Sequence, residues 1–239
     1  MKFRLDELLV KNGLAKTRSQ AQLLIKDGKV LVSAKIAIKP NQSVSESAKI
    51  KITSDEKYVG RGAYKIKAAI EAFKISTKNK VVADIGASTG GFTDYMLQNG
   101  AAKVYCVDVG HGQLAEELKE DKRVINMEGI NIRKLNSLPE KVDLAIVDLS
   151  YISLRLTLEN IFNLVKPKGV IVCLIKPQFE AGKGVISKDG VIKNTELREK
   201  ILEDFLLWCT ENKYIPKAVV KSPVIGGNGN IEFLTYFQK

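Results

Sequence analysis

Five short apolar, β-branched runs at residues 81–85, 103–108, 124–127, 142–147 and 170–175 constrain the fold more than any other feature of the chain. Helical periodicity fills most of the gaps between them. Connections of that length cross a sheet face instead of turning a hairpin, so the alternation implies parallel strands covered by helices. A long amphipathic helix at 195–212 leads to two further runs, 217–220 and 231–237, separated by a short Gly/Pro-rich loop that implies an antiparallel pair at the sheet edge. The expectation is an α/β domain with a mostly parallel seven-stranded sheet and an antiparallel edge strand.

The residues ahead of that pattern read differently. Leu5, Leu8 and Leu9 fall at helical spacing, Gly13 stops the pattern, and Thr17 or Ser19 is placed to cap a second helix carrying Ala21, Leu24 and Ile25. Short alternating runs follow at 30–32, 36–38 and 50–52, predicting a small curved sheet. Polar residues then intervene before a helix expected at 63–73. A small α+β domain at 1–57, a linker about 54–60 and a larger domain at 58–239 account for the pattern. Residues 1–57 hold 12 Lys and Arg against 6 Asp and Glu, so +6 of the chain's net +11 sits on about a quarter of its length. An excess concentrated in this way points to an anionic partner.

Cys106, Cys173 and Cys209 are far apart, each within an apolar stretch, and read as buried reduced thiols. With His111 the only histidine and no Cys/His cluster, no structural metal is expected. The charged, amphipathic start MKFRLDELLVK lacks the apolar core of a signal peptide, and no apolar run approaches the ~18 residues that span a bilayer. A cytoplasmic protein without a membrane partner is expected.

The first strand of the larger domain runs into Asp84-Ile85-Gly86-Ala87-Ser88-Thr89-Gly90-Gly91-Phe92, with a helix following. Small residues suit a sharp turn that brings backbone close to a ligand at a helix N-terminus. Ser88 stands where the dinucleotide fingerprint wants glycine, which disfavours a pyrophosphate. Asp84 and Asp108 end neighbouring strands as the two acids of a nucleoside site. Asp108 is expected to accept from both ribose hydroxyls, which favours S-adenosylmethionine or NAD over a 2′-phosphorylated cofactor. His111, just past that acid, reads either as lining the adenosine pocket or as an inert loop histidine. Lys65, Asp148, Lys176 and Glu232 are four further polar residues that the topology directs to one cleft. Asp148 and Lys176 emerge at the carboxyl ends of parallel strands, where such sheets bind ligands.

The runs Arg61-Gly62-Ala63-Tyr64-Lys65, Asp84 to Phe92, Asp108-Val109-Gly110, Val147-Asp148-Leu149-Ser150, Ile175-Lys176-Pro177-Gln178-Phe179-Glu180 and Gly229-Asn230-Ile231-Glu232 closely resemble the TlyA family. More broadly they are similar to FtsJ-like 2′-O-methyltransferases. The resemblance covers essentially the whole chain. It implies a Rossmann-like fold, S-adenosylmethionine as cofactor held by Asp84, residues 86–92, Asp108, Val109, His111 and Asp148, and a Lys-Asp-Lys-Glu tetrad at Lys65, Asp148, Lys176 and Glu232. Asn131 is implied for the adenine edge. Methylating a ribose hydroxyl removes a poorly acidic proton, which calls for a base of tunable pKa. Lys176 fits, because burial beside a second ammonium and a cationic cofactor pushes a lysine down from ~10.4 towards neutrality. Asp148 is expected to orient that amine and Glu232 to hold Lys65.

Residues 4–9, 14–21 and 25–30 resemble the RNA-binding domain first named from ribosomal protein S-four, in which a basic helical face contacts structured RNA. Arg4, Lys16, Arg18, Lys26 and Lys29 are the corresponding contacts. The family implies an enzyme acting on a cytidine ribose of ribosomal RNA, with large-subunit 23S rRNA favoured, and linked to capreomycin-type antibiotic sensitivity; a monomer is the expected state. Two rivals are an RNA-binding assembly factor without transfer activity and a membrane-acting haemolysin.

Overall fold

A computed structural model describes residues 2–15, 17–26, 28–52, 58–182 and 190–239, the side chain of Asn228 excepted. The chain divides into two compact units, Met1–Lys57 and Tyr58–Lys239. Lys16 and residues 54–57 of the expected linker lie outside the described residues.

The first unit contains β1 (Lys2–Arg4), α1 (Leu5–Lys11), α2 (Arg18–Lys26), β2 (Val30–Val32), β3 (Lys35–Ile36), β4 (Ser43–Ser45) and β5 (Ile50–Ile52). Gly13, at φ +69°, closes α1, and Thr17 Oγ1 accepts the Gln20 N–H at 3.1 Å to cap α2. Leu5, Leu8, Leu9, Ala21, Ile25 and Val30 are fully buried together. The expected single sheet is two. β3-β2-β5 forms one, with β3 shorter than the run at 36–38, and β1 pairs with β4 in a second.

The second unit comprises α3 (Gly62–Phe73), β6 (Val81–Ile85), α4 (Gly91–Gln98), β7 (Lys103–Asp108), α5 (Glu116–Lys119), β8 (Val124–Glu128), β9 (Val142–Val147), α6 (Leu158–Leu164), β10 (Val165–Ile175), α7 (Pro177–Glu180), α8 (Thr195–Glu211), β11 (Pro216–Lys221) and β12 (Phe233–Gln238). Seven strands pair in the order β11-β12-β10-β9-β6-β7-β8. The five strands from β10 to β8 are parallel, while β12 runs antiparallel to both β10 and the edge strand β11. Alternate side chains serve two apolar layers. Val82, Val104, Leu144 and Val172 pack with α3 and α4 on one face, and Ala83, Ala145, Ile161 and Phe205 pack on the other. β10 begins five residues earlier than expected, with a register shift between Val165 and Val170 that accommodates Pro167 and Gly169.

Candidate active site

The carboxyl ends of β6, β7, β9 and β10 share one edge of the sheet. Asp148 follows β9, and Lys176 follows β10 as the N-cap residue of α7. Glu232 lies just before β12, not within it as the sequence pattern indicated. The pairing of Ile175 with Phe233 then sets Lys176 and Glu232 side by side as they leave adjacent strands. Lys65 projects from the first turns of α3.

These four residues form a chain of alternating charge. Lys65 Nζ donates to Glu232 Oε2 at 2.6 Å and lies 3.9 Å from Asp148 Oδ2. Lys176 Nζ lies 2.5 Å from Asp148 Oδ1 and donates to Ser150 Oγ at 2.8 Å. The side chains of Glu232, Lys65 and Lys176 are 2%, 11% and 10% exposed, and Asp148 is 21% exposed. Burial is the largest influence on Lys65 and lowers its pKa, yet Asp148 and Glu232 together raise it above the ordinary lysine value. Burial pushes Asp148 up, and the two ammonium groups outweigh it and hold the carboxyl below the ordinary aspartate range. Two lysines and two carboxylates thus face one another with little exposure to water.

The glycine turn connects to this cluster through backbone. Gly86 sits at φ +86°, and a Cβ there would run into the carbonyl of Asp148; at Gly90, φ +92°, a Cβ would run into the side chains of Leu118 and Leu114. Both glycines are therefore demanded by protein contacts before any ligand is considered. Ala87 and Thr89 belong to the same turn, and Gly91 and Phe92 open α4. Ser88 takes φ +49°, its N–H donates to Asp108 Oδ2 at 2.8 Å, and its hydroxyl lies 3.2 Å from Gln113 Oε1.

The two expected nucleoside acids are used differently from each other. Asp108 is half-buried, and both its oxygens already accept a backbone N–H, from Ser88 and from Gly110 at 2.7 Å. It thus shapes the loops on either side and retains one lone pair per oxygen. Asp84 is fully buried beneath the turn, not at its surface. Its Oδ2 accepts the Thr93 hydroxyl at 2.6 Å, its Oδ1 has no partner among the described residues, and burial raises its pKa to about 7. Val109 is 69% exposed, and His111 is exposed with its ring over Gly129. Asn131 is exposed and its Oδ1 accepts the Arg133 N–H at 3.0 Å, capping the short turn at Ile132–Lys134. An unsatisfied buried acceptor under a glycine turn, a half-buried acid with free lone pairs and an exposed apolar side chain after it fit an adenosine-based cofactor. Among the described residues no group of three or more His, Cys, Asp and Glu could hold a metal ion.

In the first unit, Arg4 and Arg18 are committed to carboxylates and not simply presented to solvent. Both pair with the fully buried Asp6, at 3.0 and 3.1 Å, and Gln22 donates to the same group at 2.8 Å. Lys26 is exposed in the last turn of α2 and Lys29 is half-buried before β2. Sequence reasoning gave no role to Ser150, which sits in a quoted motif, nor to Glu128. Glu128 ends β8 and accepts the N–H groups of Gly112, Gln113 and Leu114 at 2.8–3.4 Å, ordering the loop beyond His111. An acid at the end of a third parallel strand was the available signal. Tyr151, three residues after Asp148, is 92% exposed, adopts φ +63° and leans on Phe179 with centroids 5.3 Å apart.

Residues 58–239 match the family model described as FtsJ-like methyltransferase, and residues 3–50 match the S4 domain. The chain is 39% identical over 239 residues to the 16S/23S rRNA (cytidine-2′-O)-methyltransferase TlyA of Mycobacterium tuberculosis, covering 98% of this chain and 89% of that one. It is 38% identical over 185 residues to the 23S rRNA (cytidine-2′-O)-methyltransferase TlyA of Campylobacter jejuni, 77% and 72% of the two chains. A solved structure of a Streptococcus thermophilus protein described as a hemolysin superposes with a TM-score of 0.78 at 38% identity, over 100% of this chain and 88% of that one. No described helix is long and apolar enough to cross a membrane. The parallel sheet, the glycine turn and the full-length similarity place the chain in the TlyA family of FtsJ-like methyltransferases, with an S4 domain ahead of the catalytic unit.

Proposed function

We propose that this protein transfers a methyl group from S-adenosylmethionine to the 2′-oxygen of a cytidine ribose in ribosomal RNA, with 23S rRNA of the large subunit as its principal target. The observation that carries this reading is the alternating chain Glu232–Lys65–Asp148–Lys176 at the carboxyl edge of the sheet. Base methylation asks for no such pair of buried lysines. The names of the M. tuberculosis and C. jejuni relatives support the ribose and the cytidine. A ribosomal substrate places the reaction in the cytoplasm, and one chain contains the whole cluster, so a monomer suffices.

The cofactor supplies an electrophilic methyl group on a sulfonium. The turn at residues 86–91 and the pair Asp108–Val109 are the groups that would hold its adenosine, and Asp84 offers an acceptor beneath them. Lys176 Nζ, once it has released its own third proton to solvent, would take the 2′-hydroxyl proton as the methyl group passes from sulfur to that oxygen. Asp148 and Ser150 fix the direction of that amine, which matters because a small misplacement of a base is costly. Glu232 holds Lys65 in place, and Lys65 in turn steadies Asp148. Tyr151 and Phe179 offer an aromatic surface on which an unstacked base can rest. Lys26, Lys29 and the Asp6-anchored Arg4 and Arg18 contact RNA phosphates from the S4 unit.

The test is methyl transfer from labelled S-adenosylmethionine to separated 30S and 50S particles that lack the modification, followed by nucleoside analysis. Label as 2′-O-methylcytidine in 23S rRNA is the expected result. Label on a base, or none on either particle by protein shown to bind the cofactor, contradicts the proposal.

A further inference from the structure

Glu180 closes the turn Pro177–Glu180 that begins at Lys176, and no step above uses it. Its side chain is 1% exposed. Oε2 accepts the Ser153 hydroxyl at 2.5 Å and Oε1 accepts the Leu154 N–H at 2.7 Å, both from the loop that leaves β9 with Asp148 and Ser150. Arg155 Nε lies 3.8 Å away, and its guanidinium is over the rings of Trp208 and Phe205 on α8 at 5.4 and 5.8 Å. One carboxylate thus ties the loop carrying Lys176 to the loop carrying its two partners. Burial raises its pKa, against the pull of Ser153, Leu154 and Arg155. Apolar packing stabilises such a junction at least as well as a buried charge does, so stability gives no reason for a carboxylate here. Tyr151, held at φ +63° in the same loop, also requires surroundings that over-determine its conformation.

We propose that Glu180 is a positioning residue that fixes the 148–154 loop against the Lys176 segment, keeping Lys176 Nζ on Ser150 and Asp148 as substrate docks. This rests on the methyl-transfer reading and assigns Glu180 no proton or substrate contact of its own. Glutamine can preserve both bonds, with its carbonyl accepting from Leu154 and its amide donating to Ser153. Leucine can preserve neither.

The experiment compares wild type, Glu180→Leu, Glu180→Gln and Ser153→Ala for methyl transfer to 50S particles, for S-adenosylmethionine affinity by calorimetry and for thermal unfolding. Wild type without transfer would remove the functional reading and is separable from everything that follows. With wild type active, Glu180→Leu should lower kcat about 10- to 100-fold, the scale of a misplaced catalytic group, with cofactor affinity within about threefold and Glu180→Gln recovering most of the rate. Folded Glu180→Leu with kcat within twofold of wild type overturns the proposal. So does a Glu180→Gln as inactive as Glu180→Leu, which would make the carboxylate itself part of the chemistry. If Glu180→Leu does not fold, Ser153→Ala decides: a several-fold fall in kcat at unchanged cofactor affinity supports the role, and an unchanged kcat refutes it.

Discussion

Replacing Asp148 with asparagine removes the one negative charge that faces both lysines. The cluster of Lys65, Lys176, Asp148 and Glu232 changes from formally neutral to +1, and the two ammonium groups, 11% and 10% exposed, are left with Glu232 alone. Unit charges about 4 Å apart attract by about 4 kcal/mol at an effective dielectric of ~20, most of it offset by desolvation. Breaking a buried pair from one side costs about 3–5 kcal/mol. Asparagine still accepts a hydrogen bond from Lys176, and the 21% exposure of Asp148 admits some water, so the lower end, about 3 kcal/mol, is expected. Because the folded pKa of Asp148 is depressed, its contribution is present above the ordinary value of 3.8 and is lost only as pH falls through the lower folded value. Urea unfolding followed by Trp208, the only tryptophan and part of α8, reads the catalytic unit directly. The gap between wild type and Asp148→Asn should be about 3 kcal/mol at pH 5 and close below pH 4, with methyl transfer down by about 10²-fold or more. A gap under about 0.5 kcal/mol at pH 5, or one that stays the same from about pH 5 to about pH 2, would show that the charge is not what Asp148 contributes.

Asp84 has the opposite sign. With its folded pKa near 7, the wild type should lose roughly 1.4 kcal/mol per pH unit between pH 4 and pH 7, a slope absent in Asp84→Asn, and parallel stability curves would contradict its burial without a cationic partner. A Cβ at Gly226 would push into the Glu232 carboxylate while Gly227 faces open space; Gly226→Ala should cut kcat tenfold or more, and a Gly227→Ala variant equally impaired would show that the contact with Glu232 is not the cause. Asp6→Ala should cost the S4 unit about 2 kcal/mol at pH 7, the lower end because Arg4 and Arg18 are half-exposed and can rehydrate. That contribution is held above the ordinary aspartate value and lost below it, since Asp6 sits well under 3.8 through its hydrogen bond with Arg4. Thermal unfolding unchanged at pH 7 would speak against it.

The strands were legible because buried parallel strands must be apolar runs bounded by polar turns, and four of the five parallel strands start at the residue where the pattern starts. Asp148 and Lys176 followed from the same logic, since the end of a parallel strand is where a polar residue can meet a ligand. What escaped depends on long-range neighbours. β1 and β4 exist because Phe3 and Val44 pair although 41 positions apart. The start of β10 was hidden by Lys166-Pro167-Lys168-Gly169, which reads as a turn and is absorbed as a bulge. Arg4 and Arg18 looked like free cations because nothing local announces that Asp6 is buried between them. Gly86 and Gly90 looked like ligand contacts, while their neighbours Asp148, Leu114 and Leu118 arrive from later strands and loops. Glu180 was quoted within a motif and left without a role, because its partners Ser153 and Leu154 belong to a different loop.

Whether Lys176 is the base in ribose methylation is decided by single-turnover transfer to 50S particles by wild type and Lys176→Ala at saturating cofactor. In the variant 2′-O-methylcytidine formation should fall by about 10²–10⁴-fold, the range of general-base catalysis, while S-adenosylmethionine affinity and RNA binding stay within a few-fold of wild type. Transfer by Lys176→Ala within tenfold of wild type, at the same ribose, would contradict it.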